Sequence, residues 1–85
     1  MVQNSHTDAD ERIMQFIEQD RAVRRGCREI IIMADPDYLK AVSGVERYIS
    51  AQVDDVADVS WDRIVSAVVD EFNRVLPDHL QIKLR

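Results

Sequence analysis

The chain has 85 residues, 46% of them apolar, a formal net charge of −5 and a single cysteine, Cys27. A domain of this size buries only about 60 to 65% of its unfolded surface, and a lone cysteine excludes an internal disulfide as the missing support. The apolar runs fall far short of the ~18 residues of a membrane span, no secretory signal pattern opens the chain, and His6 and His79 lack metal-ligand spacing.

These limits predict a cytoplasmic protein without metal or cofactor, steadied by self-association into a homodimer. Residues 1–6 read as a disordered lead, and 7–85 as one α+β domain. A first helix is expected from Thr7 or Asp8, with Asp8, Asp10 and Glu11 crowding its first turn. Ala9, Ile13, Phe16, Ile17 and Val23 fall on one face, interrupted by Asp20. Gly26 is the expected left-handed terminator, with Arg21, Arg24 and Arg25 as cations on the last turn.

Arg28 to Ala34 then reads as a strand, because three successive isoleucines, Ile30, Ile31 and Ile32, lose rotamer freedom in a helix and suit a pleated surface. The run does not alternate, so both of its faces need cover. Pairing with its copy in a second subunit, or with the last strand of the chain, supplies that cover.

Asp35 and Pro36 predict the start of a second helix, with Asp as the cap and Pro at the first helical position. Tyr38, Leu39, Val42, Val45, Ile49 and Val53 form its apolar stripe, and Gly44 within it either marks the close approach of a neighbouring backbone or simply weakens the helix. Asp54, Asp55 and Asp58 lack the ligand ladder and glycine of a calcium loop and read as a solvated connector. Ser60 is the expected cap of a third helix carrying Trp61, Ile64, Val65, Val68, Phe72, Val75 and Leu76, and Pro77 ends it. Trp61 is expected to roof the core. His79 to Arg85 alternates and predicts an edge strand, giving the order α-β-α-α-β.

Catalytic chemistry has little to stand on. Cys27 beside arginines has no recognisable base, and a small buried thiol is the ordinary reading. His79 is isolated, while Asp70 and Glu71 lie on the outward side of their helix. No phosphate loop, metal array or nucleophile elbow occurs, so a non-enzymatic protein is expected.

Two binding readings remain. The stretches R-E-I-I-I-M-A, D-P-D-Y-L-K-A-V and D-V-S-W-D-R-I-V-S-A-V-V-D-E-F follow one another as strand, helix and helix. In that order they resemble the ribbon-helix-helix family of small dimeric DNA-binding repressors. The resemblance implies a two-chain ribbon in the major groove of double-stranded DNA. It places Arg28 at the ribbon, Ser60 on a backbone phosphate, and Arg21, Arg24 and Arg25 as neighbouring positive charge. The second reading is an acidic adaptor or inhibitor that recognises a basic protein, a nucleic-acid mimic among them. Setting aside the +4 of the arginine cluster leaves −9 on the remaining residues, with Trp61, Tyr38 and Tyr48 as partner anchors.

Overall fold

Asp20, which breaks the apolar stripe of the N-terminal half, is the residue that divides it into two helices. Its carboxylate accepts hydrogen bonds from the backbone N–H groups of Ala22 (3.0 Å) and Val23 (3.2 Å), capping a helix that begins one residue later. The structure, a computed structural model, describes residues 5–84. Helix α1 spans Ser5–Gln19, α2 spans Arg21–Ala34, α3 spans Tyr38–Ser50 and α4 spans Trp61–Asn73, followed by a single 3₁₀ turn, Asp78–Leu80. There is no β-strand among the described residues.

The fold is therefore all-helical, not α+β. Arg28 to Ala34, expected as a strand, is the second half of α2. Counted from the Asp20 cap, Val23, Cys27, Ile31 and Ala34 recur at intervals of four, four and three and are all buried. The isoleucine run straddles this stripe: Ile31 is fully enclosed, Ile30 is half-buried, and Ile32 is 49% exposed. Helical geometry costs each isoleucine a few tenths of a kcal/mol in propensity, whereas enclosing Ile31 contributes about 2 to 3 kcal/mol. Burial wins, and no second chain is needed to enclose Ile31. Without a strand there is no ribbon, and the ribbon-helix-helix arrangement is set aside.

The same stripe logic assembles the bundle. Ala9, Ile13 and Ile17 of α1, Ala41, Val45 and Ile49 of α3, and Trp61, Ile64, Val65 and Val68 of α4 join the α2 stripe in one core. The packing of α2 on α3 is the closest. A Cβ built on Gly44 falls 2.6 Å from Cγ2 of Ile30, so the expected close approach at Gly44 is present. Gly26 is not a terminator. It lies inside α2 with a negative φ, and Tyr48 of α3 occupies the space a side chain there would fill.

The connections differ from expectation in detail. Asp35 and Pro36, joined by a cis peptide bond, form the turn between α2 and α3. The cap is Asp37, whose side chain accepts from the N–H of Lys40 at 3.1 Å. Ser60 occupies the cap position of α4 without a side-chain bond. Asp10 of α1 reaches across instead and accepts the Ser60 N–H at 2.8 Å, tying the first helix to the start of the last.

His79 to Arg85, expected as an edge strand, begins inside the 3₁₀ turn and continues as irregular chain to Leu84, the last described residue. Asn73 substitutes for a neighbouring strand, accepting the Ile82 N–H at 2.8 Å and donating to the Ile82 carbonyl at 3.0 Å. Gln81 donates to the carbonyls of Asn73 and Leu76 at the frayed end of α4. This clamp turns Ile82 into the core while Leu80 stays exposed, which is why the alternation did not need a sheet. The expected disordered lead falls in part on residues 1–4, outside the described residues; His6, and Ser5 before it, belong to α1, which starts earlier than Thr7. Arg85 also lies outside them. Among the described residues, no helix is long and apolar enough to cross a membrane.

Candidate binding face on α2

The arginines come together on the outer side of α2. Because the helix starts at Arg21, they are not last-turn cations of the preceding helix; Arg21 occupies the first helical position and Arg24 the fourth. That is the end where unsatisfied N–H groups already carry partial positive charge, and where a cation is disfavoured by about 0.3 to 1 kcal/mol. No acid stands in the first turn to offset it. Only the Asp20 cap does so.

Arg21, Arg24, Arg25 and Arg28 line a wide, shallow depression of about 970 Å³ with Ile30, Met33, Tyr48 and Phe72. Helical spacing sorts its lining into two lanes. Arg21, Arg24 and Arg28 follow at intervals of three and four along the side of α2 next to α4, where the Arg28 guanidinium lies 5.7 Å from the centroid of the Phe72 ring. Ala22, Gly26, Ile30 and Met33 follow along the side next to α3. There the Tyr48 ring packs over Gly26 and its hydroxyl donates to the Ala22 carbonyl at 3.5 Å. Arg25 stands between the lanes, joined to Glu29 by a 3.9 Å ion pair whose side chains are 81% and 69% exposed.

The basic lane is lightly held. Arg24 donates to the Glu18 carbonyl at 3.4 Å, a long bond on the surface. Among the described residues, neither Arg21, Arg24 nor Arg28 lies within ion-pair distance of a carboxylate. At its far end the apolar lane finishes in Met33, which is 84% exposed. Charge and hydrophobicity are thus both presented outward, side by side, on a single helix.

The remaining sequence candidates are not brought to this face, Tyr48 excepted. Ser60 is half-buried beside Asp10 and does not line the depression. Trp61 is 9% exposed and roofs the core as expected, which removes it as a partner anchor. Tyr38 is half-buried, its hydroxyl donating to the Asp62 carbonyl at 3.1 Å at the start of α4. Phe72, expected as a core residue of its helix, is half-buried and lines the depression; its position beside Arg28 had no signal in the linear sequence.

Cys27 is wholly enclosed between the two lanes and the core, and burial pushes its thiol up from the ordinary value of 9.0 to about 11. An enclosed, protonated thiol is a poor nucleophile. His79, with Asp35, Asp78 and Lys83, borders a small surface cleft near the α2–α3 turn. No cluster of three or more His, Cys, Asp or Glu suited to a metal occurs among the described residues. Comparison with protein-family models, curated proteins and solved structures returned no match.

Proposed function

We propose that the chain is a small, non-enzymatic protein-interaction module whose working surface is the outer face of α2. The observation that carries this reading is the pairing of a basic lane, Arg21, Arg24 and Arg28, with an apolar lane ending in the exposed Met33. Cations at the N-terminal end of a helix, and a methionine left in water, both oppose stability; a binding surface is where such local conflicts are expected. The arginines attract an anionic partner and the apolar lane gives it a surface to dehydrate.

The location of the charge supports a different polarity from a basic-protein adaptor. The expected anchors Trp61 and Tyr38 are engaged within the fold, while Tyr48 lies at the arginine face. Duplex DNA is the less suitable occupant, since its phosphates contact the arginines but leave the apolar lane unfilled. Beyond the cluster they also meet a surface that carries the remaining −9.

Site-specific photocrosslinking in an extract of the source cell tests the reading. A photoreactive side chain at Met33 is expected to capture one polypeptide, resistant to nuclease and lost when Arg21→Glu and Arg25→Glu are combined. Capture of nucleic acid, or equal capture from a probe at Lys40, refutes it.

A further inference from the structure

Resting on that reading, we propose that the recognised element of the partner is an acidic amphipathic α-helix. It lies along α2, with carboxylates on the basic lane, Arg21, Arg24 and Arg28, and on Arg25 beside it, and an apolar stripe over Ile30, Met33 and Tyr48.

The pattern of the receiving face points to this occupant. Its basic positions recur at intervals of three and four, as do its apolar positions, and the two lanes run side by side from Arg21 to about Ile30, the apolar one continuing to Met33. A ligand that matches both must itself carry a charged stripe and an apolar stripe on adjoining sides, at the same spacing. In an α-helix, acidic residues three and four apart produce the first stripe and the residues beside them the second. From Arg21 to Met33 the face extends about 18 Å at 1.5 Å per residue, room for roughly three turns of ligand.

An extended peptide is a weaker match. Its side chains alternate between opposite sides, so charge and apolarity cannot occupy adjoining lanes with helical spacing. Strand addition also needs an open sheet edge, and there is no strand among the described residues.

The face is also prepared to exchange its contacts. The Arg25–Glu29 pair is long and exposed, so a ligand carboxylate displaces it at little cost. Arg28 is held over the Phe72 ring, which orders the guanidinium while leaving its N–H edges open. Met33, unbranched and polarisable, adapts to ligand side chains of different shape.

The test uses the full 85-residue chain, labelled with nitrogen-15, and four probes. The first is a synthetic amphipathic peptide of about 15 residues, with glutamates and leucines in adjoining helical stripes. The second has the same composition scrambled, the third has glutamine for every glutamate, and the fourth is a short DNA duplex of arbitrary sequence.

The patterned peptide is expected to shift the amide signals of residues 21–33 and of Tyr48 and Phe72, to gain helicity, and to bind at least about tenfold more tightly than the scrambled peptide, a difference of 1.4 kcal/mol. The pair Arg21→Glu and Arg25→Glu lowers its affinity by about tenfold or more. Lys40→Glu with Lys83→Glu, an equal change of charge elsewhere, alters it by no more than about twofold. Met33→Glu, at an exposed position, weakens it without unfolding the chain, as circular dichroism checks. Equal binding of the patterned and scrambled peptides overturns the helical occupant and leaves the interaction face standing. Preference for the duplex over every peptide overturns both.

Discussion

Gly26 and Gly44 lie in the seam between α2 and α3, where the two helices pack closely. In an isolated helix, alanine at either position adds about 1 kcal/mol. Here a Cβ on Gly26 meets the Tyr48 ring, and one on Gly44 meets the stiff, β-branched Ile30. Overpacking of that kind costs about 1 to 3 kcal/mol, so Gly26→Ala is expected to lower the urea midpoint despite its better propensity. Its cost should shrink in a Tyr48→Ala background, the signature of direct coupling; an unchanged cost removes the steric account.

Cys27 makes a second residue-level prediction. Its folded pKa of about 11 lies above the ordinary 9.0, so the folded chain holds a proton that the unfolded chain releases. Its contribution is complete below pH 9.0 and is lost as pH rises through about 11. That amounts to roughly 2 to 3 kcal/mol. Urea midpoints measured between pH 8 and 11 should fall more steeply for the wild-type chain than for Cys27→Ala, and equal slopes refute the assignment. At neutral pH the native thiol should label slowly and the denatured thiol fast.

At the level of the helix, α2 combines a good cap with unfavourable charge. Asp20→Ala removes the acceptor of two backbone N–H groups and should destabilise the chain by about 1 kcal/mol. Arg21→Ala removes a cation from the positive end of the helix and should stabilise it by about 0.3 to 1 kcal/mol. The same substitution should weaken binding of the acidic peptide. Opposite signs in thermal stability and affinity are the expected result. A loss of stability from Arg21→Ala would mean that the arginine supports the fold and that its placement carries no functional meaning.

For the molecule as a whole, the described residues close a core without a second chain. Ile31, Val45, Ile49 and Val65 are each fully enclosed, and the radius of gyration of 12.9 Å is close to the roughly 12 Å typical of a compact domain of this length. Stable dimers bury about 1,200 Å² or more, and Ile31, at the centre of the isoleucine run, is already enclosed in the core of the single chain. Light scattering is therefore expected to return the 9.8 kDa monomer. A dimer that dissociates on Arg21→Glu would identify the acidic ligand as a second copy of the chain. Binding at the α2 face should weaken as salt rises, because Arg21, Arg24, Arg25 and Arg28 are exposed and salt screens their attraction to the ligand's carboxylates.

Part of the architecture is legible in the sequence. The burial of Trp61 and Cys27, the close packing at Gly44 and the inner parts of the α3 and α4 stripes, Val45 and Ile49 with Ile64, Val65 and Val68, follow from local spacing and ordinary chemistry and are present in the fold, whereas Leu39 and Val75, expected in those stripes, are 75% and 84% exposed. The division at Asp20 was not legible, because an aspartate is as ordinary on the outer face of one long helix as it is at the cap of the next. Starting a helix at Arg21 and carrying it through Gly26 to Ala34 converts an apparent strand into a buried stripe. Only the packing of Ile31 against the other helices, worth more than the β-branched preference it opposes, chooses between the two. The binding face has the same origin. The composition placed four arginines close together in sequence, but their lane beside Phe72 and the apolar lane beside Tyr48 exist because α3 and α4 pack on either side of α2, a contact between residues far apart in the chain.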